Sequence, residues 1–473
     1  MMMKKKIGCV SITRLVSAVS LVFLTLVNLA ACSSIPIMVP DMAMQSERPV
    51  QLDGKNGPLS VKQSKAILAK LKKNGDDTNI FDKHLALMSE ITSSPLVVGN
   101  KVELLIDGPT TYNAMFAAIE NAKDHINMET FIIENDEIGL RFEKLLIRKQ
   151  VSGVQVNLIY DSVGSISTPK TFFEPLIASG ANVLEFNPIN PLNTRKGWEF
   201  NRRDHRKLLI VDGKIAFVGG INISSVYSSG SFGRHSTEKP KNNDQPWRDT
   251  HLRMSGPVVS EFQKLFIATW NEQQGEPLAF RQYFPEETNQ GNEVVQALGS
   301  NPEEPYSQMF VTLLSVINSA ETQISLTNAY FVPDPQLLTA LKDAAKRGVD
   351  VRLLLPDKTD SNMVFYASRS FYDELLSADV KIYERQDALL HAKTLLVDGV
   401  WSTIGSTNLD WRSFTNNQEI NAIVLGQDFG AQMQAMYEKD LQSSKQITLE
   451  DWRKRSISLR IKEKAARFWA HFL

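Results

Sequence analysis

The chain has 473 residues, with 52 Lys and Arg against 53 Asp and Glu and a formal net charge of −1. That length can hold two domains with full cores, and so even a charge balance argues against a protein that gathers nucleic acid on a basic surface. The two cysteines, Cys9 and Cys32, both precede the body of the chain. This excludes a disulfide framework, a cysteine nucleophile and a cysteine-built zinc site.

The first predicted element is a targeting segment. Lys4, Lys5, Lys6 and Arg14 form a positive start, and Leu15 to Asn28 is largely apolar but short of the roughly 20 residues of a comfortable membrane span. Leu29-Ala30-Ala31-Cys32 closes it in the manner of a secretory signal. This ending resembles the lipobox of bacterial lipoproteins. The resemblance implies cleavage before Cys32 and diacylation of its thiol, which would hold the protein firmly at a membrane outside the cytoplasm. An uncleaved N-terminal anchor is the alternative. Cleavage would leave 48 Lys and Arg against 53 Asp and Glu, a mildly acidic body of net charge −5. Ser33, directly after Cys32, favours the outer membrane under the lipoprotein family's sorting rule.

Residues 32–58 are rich in Pro, Met, Ser and polar side chains, the composition of a spacer. A helix is expected over Lys62 to Lys73, with Ile67, Leu68 and Leu71 on one face. An internal duplication follows. Ile119 to Ile126 parallels Ile317 to Ile324 at an offset of 198 residues. Each copy continues with an extended aromatic stretch (Phe131-Ile132-Ile133 and Tyr330-Phe331-Val332). A helical segment then ends at Gly153 or Gly348, and a β-rich run starts at Val154 or Val349. Buried strands alternating with helices predict an α/β fold with mixed or parallel sheets. The boundary between copies is expected in the polar stretch Phe284 to Gly291.

One motif occurs in both copies. His205, Lys207, Asp212, Gly219-Gly220 and Asn222 recur as His391, Lys393, Asp398, Gly405-Ser406 and Asn408 with identical spacing. Asp-Gly between apolar runs predicts a hairpin. A strand starting at the histidine would put His and Lys on one face and carry Asp to the turn, away from both. The glycine pair would let backbone approach closely and free the following Asn to face the same pocket. Two imidazoles near pKa 6.5 can serve as nucleophile and as general acid–base toward a phosphodiester. Two ammonium groups and the amides of Asn222 and Asn408 would bind the phosphoryl oxygens, a task otherwise given to a metal. No metal or other cofactor is therefore expected. Each imidazole also needs an acceptor at its second nitrogen. Asp249, 44 residues after His205, and Glu419, 28 after His391, fit once the polar insert Gly233 to Trp247 is allowed for. That insert reads as a surface loop.

The doubled pattern is similar to the phospholipase D superfamily and, within it, to bacterial cardiolipin synthases. The matching stretches include Asn201 to Lys207, Ser255 to Val258, Tyr330 to Pro333, Gly348 to Pro356 and Gly405 to Ser413. The resemblance implies two similar phospholipase D-like α-β-α sandwich domains with mixed sheets, related by pseudo-twofold symmetry, with the active site at their interface. It implies catalytic roles for His205, Lys207, Asp212, His391, Lys393 and Asp398. The implied organisation is a signal at 1–31, a spacer at 32–58, a first domain at 59–290 and a second at 291–473. The implied activity is transfer of a phosphatidyl group between phosphatidylglycerol molecules through a phosphohistidine at a phospholipid membrane. A lipid-hydrolysing phosphodiesterase or a nuclease is the alternative. Nothing in the sequence indicates an accessory protein. Glu450 to Leu473 carries seven Lys and Arg, three Asp and Glu, and four aromatic residues, Trp452, Phe468, Trp469 and Phe472. It reads equally as a membrane-resting segment or a packed terminal helix.

Overall fold

The structure is a computed structural model describing residues 37–40, 49–71, 80–190, 198–229, 246–286 and 288–470. The signal, Cys32, Ser33 and most of the 233–247 insert lie outside the described residues.

Seven principal strands build each half of the chain. In the first they are β1 (Leu96–Leu105), β2 (His125–Thr130), β3 (Gln155–Asp161), β4 (Asn182–Phe186), β5 (Lys207–Val211), β6 (Ile215–Gly219) and β7 (His251–Ser255). Their spatial order is β1-β7-β6-β5-β2-β3-β4, with β2, β3 and β4 parallel and the rest antiparallel. The second half repeats this with β8 (Glu293–Ser300), β9 (Gln323–Thr327), β10 (Asp350–Pro356), β11 (Lys381–Arg385), β12 (Thr394–Val397), β13 (Trp401–Gly405) and β14 (Asn417–Leu425). The order is β8-β14-β13-β12-β9-β10-β11. A further strand, Ser444–Ile447, pairs with β11. The first half of β1 pairs with β8 and its second half with β7, so one long strand belongs to both sheets.

The central parallel strands β2 and β3 are buried along their whole length and β10 along most of its own, as crossover helices require. Helices Glu137–Val151 and Pro335–Lys346 are the two equivalent crossovers, with side-chain caps from Asp136 and Asp334. Gly153 and Gly348 follow them at φ of 95° and 93°, a left-handed conformation that favours glycine. Each half has its own apolar core. A third core joins them, in which Leu208, Ile210 and Val218 share a cluster with Leu396, Ile404 and Ala422. The Asp-Gly pairs close type I′ turns, with φ of 55° and 61° at Asp212-Gly213 and 49° and 64° at Asp398-Gly399.

Parts of the stretch read as a spacer are packed on the body. Ile37 is buried and donates its N–H to Asp334 at 3.1 Å, and Asp53 pairs with Val97 in β1. The helix expected over 62–73 is described at Val61–Leu71. Among the described residues, no helix is long and apolar enough to cross a membrane.

Asp212 and Asp398 each seal a hairpin to the start of the neighbouring strand. Asp212 accepts from the backbone N–H of Lys123, Asp124 and His125 at 2.8–3.1 Å. Asp398 accepts from Glu321, Thr322 and Gln323 at 2.8–3.2 Å. Replacing either by Ala strands those donors and leaves a β-carbon residue at positive φ. Asp212→Ala and Asp398→Ala should each lose about 2–4 kcal/mol of unfolding free energy in urea titrations. Unchanged midpoints would contradict this role.

Candidate active site

Two short strand pairings reach from one half to the other. Arg203–Asp204 runs parallel to Asn417 and Gln418 of β14. Trp247–Arg248 runs parallel to Leu389–Leu390. The next residue on each of the four segments is a histidine or a carboxylate. His205 N–H donates to the Gln418 carbonyl at 2.9 Å, and His391 N–H donates to the Arg248 carbonyl at 2.8 Å. The side chains follow the backbone. His205 Nδ1 lies 3.0 Å from both oxygens of Glu419, and His391 Nδ1 lies 2.7 Å from Asp249 Oδ2. Spacing within each copy had put Asp249 with the first motif and Glu419 with the second. In the structure each imidazole takes its carboxylate from the other half.

The glycine pairs explain the close approach. A β-carbon on Gly220 would sit 2.2 Å from Asp249 Oδ1, and one on Gly405 would sit 2.3 Å from the Ile420 carbonyl. In the second copy Ser406 replaces the second glycine and donates to Glu419 Oε2 at 2.5 Å. Arg206 ties the seam from behind, donating to the carbonyls of Glu419 at 3.1 Å and Ser300 at 3.0 Å and to the Thr269 hydroxyl at 2.7 Å. Beneath Asp249, the buried guanidinium of Arg248 forks onto Asp440 at 2.8 and 3.0 Å. Removing one partner of such a buried pair costs roughly 3–5 kcal/mol.

Lys207 and Lys393 stand two residues along from the histidines and fold back toward them. Lys207 Nζ donates to the His205 carbonyl at 2.5 Å. Lys393 Nζ donates to the His391 carbonyl and lies 3.0 Å from His391 Nδ1. All four side chains are buried. Burial, with some repulsion from Lys393, pulls Lys207 down to about 7 against the attraction of Glu419. Burial likewise pulls Lys393 down to about 8 against Asp249 and Glu419. His205 is pushed down to about 4, by burial first, with Glu419 opposing and Lys207 assisting. His391 is lowered by burial and then by Lys393. Burial raises Glu419 and Asp249, but the facing His and Lys groups outweigh it and hold both below the usual carboxylate range. At neutral pH His205 therefore offers an uncharged ring. A Glu419 carboxylate at Nδ1 fixes the proton there and leaves Nε2 with a free lone pair.

Asp212 and Asp398 are not brought into this cluster. Five residues of strand separate Asp212 from Lys207, about 16 Å at 3.3 Å per residue. Both carboxylates are occupied by backbone N–H groups, so their catalytic assignment is replaced by a folding one. Asn222 is buried, with its Oδ1 accepting from Ile132 N–H at 3.2 Å and its Nδ2 3.3 Å from the Tyr227 hydroxyl. The Asn408 Oδ1 is buried and has no hydrogen-bond partner among the described residues. Sequence reasoning missed the aromatic walls. The Tyr227 hydroxyl lies 3.2 Å from His391 Nδ1, and the rings of Trp247 and Tyr330 stand 5.2 and 6.3 Å from that imidazole. Phe131 meets His205 edge-on at 4.9 Å and carries Lys207 above its face at 5.0 Å. Phe131 and Tyr330 lie in the two equivalent aromatic stretches, which was the available signal.

Two α/β halves that share one His-Lys site across their interface define the phospholipase D superfamily. A crystal structure of phosphatidylserine synthase from Haemophilus influenzae Rd KW20 has this fold, with a TM-score of 0.57 at 15% identity over 79% of this chain and 95% of that one. The family described as "Cardiolipin synthase, PLD-like domain" matches residues 115–231 and 313–441. A cardiolipin synthase of Geobacillus sp. (strain WCH70) is 36% identical over 394 residues, 82% of this chain and 76% of that protein. Cardiolipin synthase A of Pseudomonas putida (strain GB-1) is 38% identical over 376 residues, 78% of this chain and 74% of that protein. The chain belongs to this cardiolipin synthase-type family with PLD-like domains. It is an enzyme of the phospholipase D superfamily, of the phosphatidyltransferase kind.

The depressed lysines make oxyanion binding pH-dependent with a definite sign. Each Lys is cationic below its pKa, so attraction is complete below about 7 and fades through about 8. Sulfate, whose charge is constant over this range, should bind more weakly at alkaline than at slightly acid pH when followed by calorimetry. Equal affinity at both, or tighter alkaline binding, would show that these lysines do not hold the anion.

Proposed function

We propose that the enzyme transfers a phosphatidyl group from one phosphatidylglycerol to another, making cardiolipin and releasing glycerol. The observation that carries this reading is the pair of carboxylate-held imidazoles with two lysines in one buried site, in a chain whose relatives are named cardiolipin synthase. In the first step, Nε2 of His205 forms a bond to phosphorus. The bond from phosphorus to the departing glycerol oxygen breaks, and that oxygen takes a proton from Nε2 of His391. In the second step, the hydroxyl of the acceptor lipid gives its proton to His391 and its oxygen bonds to phosphorus. The phosphorus–nitrogen bond then breaks and His205 is regenerated. Lys207 and Lys393 stabilise charge on the non-bridging oxygens throughout. A phosphodiester beside His391 supplies a negative charge that counters burial and Lys393, favouring the imidazolium the first step needs.

The same reading places the enzyme at a phospholipid membrane. We propose that Cys32 carries the lipid tether and that the body faces the periplasm from the outer membrane. Asn222 orders the pocket through Tyr227.

Vesicles containing phosphatidylglycerol labelled in its headgroup glycerol test the activity. Wild type should release labelled glycerol together with a diphosphatidyl product, and His205→Asn or His391→Asn should lower turnover at least about a hundredfold. Glycerol release without the diphosphatidyl product would replace transfer with hydrolysis. Full activity in either variant would refute the two-histidine scheme.

A further inference from the structure

We infer that the mouth of the active site is itself a membrane-docking face, a rim of exposed apolar side chains that enters the lipid surface around the two histidines. The inference deepens the lipid-transfer reading and rests on it for its choice of partner.

Four exposed apolar residues connect to the site through short runs of chain and contacts. Val226 precedes Tyr227, whose hydroxyl faces His391, and is 39% exposed. Ile166, 70% exposed, follows Ser165, which donates to the carbonyl of Phe131, the ring packed on His205. Phe200, 60% exposed, precedes Asn201, whose carbonyl accepts from Arg412 of the opposite half at 3.3 Å. Met363, 48% exposed, lies three residues past Asp360, which accepts from the Tyr330 hydroxyl at 2.6 Å beside His391. Two of the residues lie just past parallel strands: Ile166 in the turns after β3, and Met363 in the first turn of the helix Asn362–Arg369 that follows β10. That end of such a sheet is also where ligands bind. A water-soluble enzyme with a water-soluble substrate gains nothing from large apolar groups around its entrance, and such clusters mark interaction surfaces.

The surface continues onto a basic helix. Helix Ile457–Phe468 lies along helix Asn362–Arg369, with Lys462 over the Tyr366 ring at 5.4 Å and Arg467 donating to the Ser370 carbonyl at 3.3 Å. Those two contacts run in the same direction and set the first turn, with Ile457 at 75% exposure, toward the Met363 end. Its remaining outward groups include Ile461, Lys462 and Lys464. Apolar groups flanked by cations suit an anionic bilayer, where each cation near the surface adds attraction. The face therefore fits a bilayer rich in the anionic lipid that the site would consume.

Phe280 supplies the internal control. It is 98% exposed, but its neighbour Gln282 is bonded to Asp124 at the start of β2, the end of the sheet away from the histidines. Full-length Phe200→Trp and Phe280→Trp would be mixed with vesicles of equal parts phosphatidylglycerol and phosphatidylcholine bearing brominated acyl chains. Any tether is common to both, so only docking geometry separates them. Added quenching is expected in Phe200→Trp alone, and equal quenching in the two would overturn the inference. The triple variant Ile166→Ser, Phe200→Ser, Met363→Ser should lose about tenfold activity on vesicles yet keep activity on a dispersed short-chain phosphatidylglycerol. Retained vesicle activity, or equal loss on both substrates, would also overturn it. So would vesicle-free self-association that the triple variant abolishes, which would assign the rim to a second copy. If wild type acts on neither lipid, the transfer reading fails, while the quenching contrast still decides the docking face.

Discussion

Each imidazole in this enzyme is held by a carboxylate from the other half of the chain, and the rest of the site depends on that exchange. Two short parallel pairings, Arg203–Asp204 with Asn417 and Gln418 and Trp247–Arg248 with Leu389–Leu390, fix the backbone before any side chain is placed. The histidines and carboxylates are simply the next residues along these four segments. Neither motif histidine finds its carboxylate within its own half, so the duplication yields one site and not two.

The exchange also sets the charge state. Two lysines and two histidines are buried together, an arrangement whose desolvation cost would normally be paid by losing protons. Glu419 and Asp249 each act on both lysines and keep them near 7 and 8 rather than lower. The histidines are left uncharged. Two carboxylates thus face two lysines whose charge is only partly retained at neutral pH, and the buried charges come close to balance. The glycine at 220 and the serine at 406 are two solutions to the same crowding: one makes room for Asp249, the other donates to Glu419.

Much of the fold was legible because the duplication repeats strand, helix and strand with recognisable period and with glycines at the helix ends. The His-Lys spacing was legible for the same reason, since alternation along a strand fixes which side chains share a face. The aspartates of the motif were harder. Position 212 reads the same whether its carboxylate serves a reaction or a hairpin, and only the backbone N–H groups of 123–125, remote in sequence, decide it. Asp249 and Glu419 could be picked out by counting residues, but counting cannot tell which half a side chain crosses into. Tyr227 and Trp247 carry no periodic mark. They flank the site because the chain on either side of the 230–245 segment, outside the described residues, returns to it.

The crossed pairing is tested most directly by nitrogen-15 spectra of the histidine rings in Glu419→Gln and Asp249→Asn. Exchange across the halves requires that Glu419→Gln shift the tautomer and titration of His205 and leave His391 nearly unchanged, with Asp249→Asn doing the reverse. Shifts confined to the histidine of the same half, His391 for Glu419→Gln and His205 for Asp249→Asn, would contradict it.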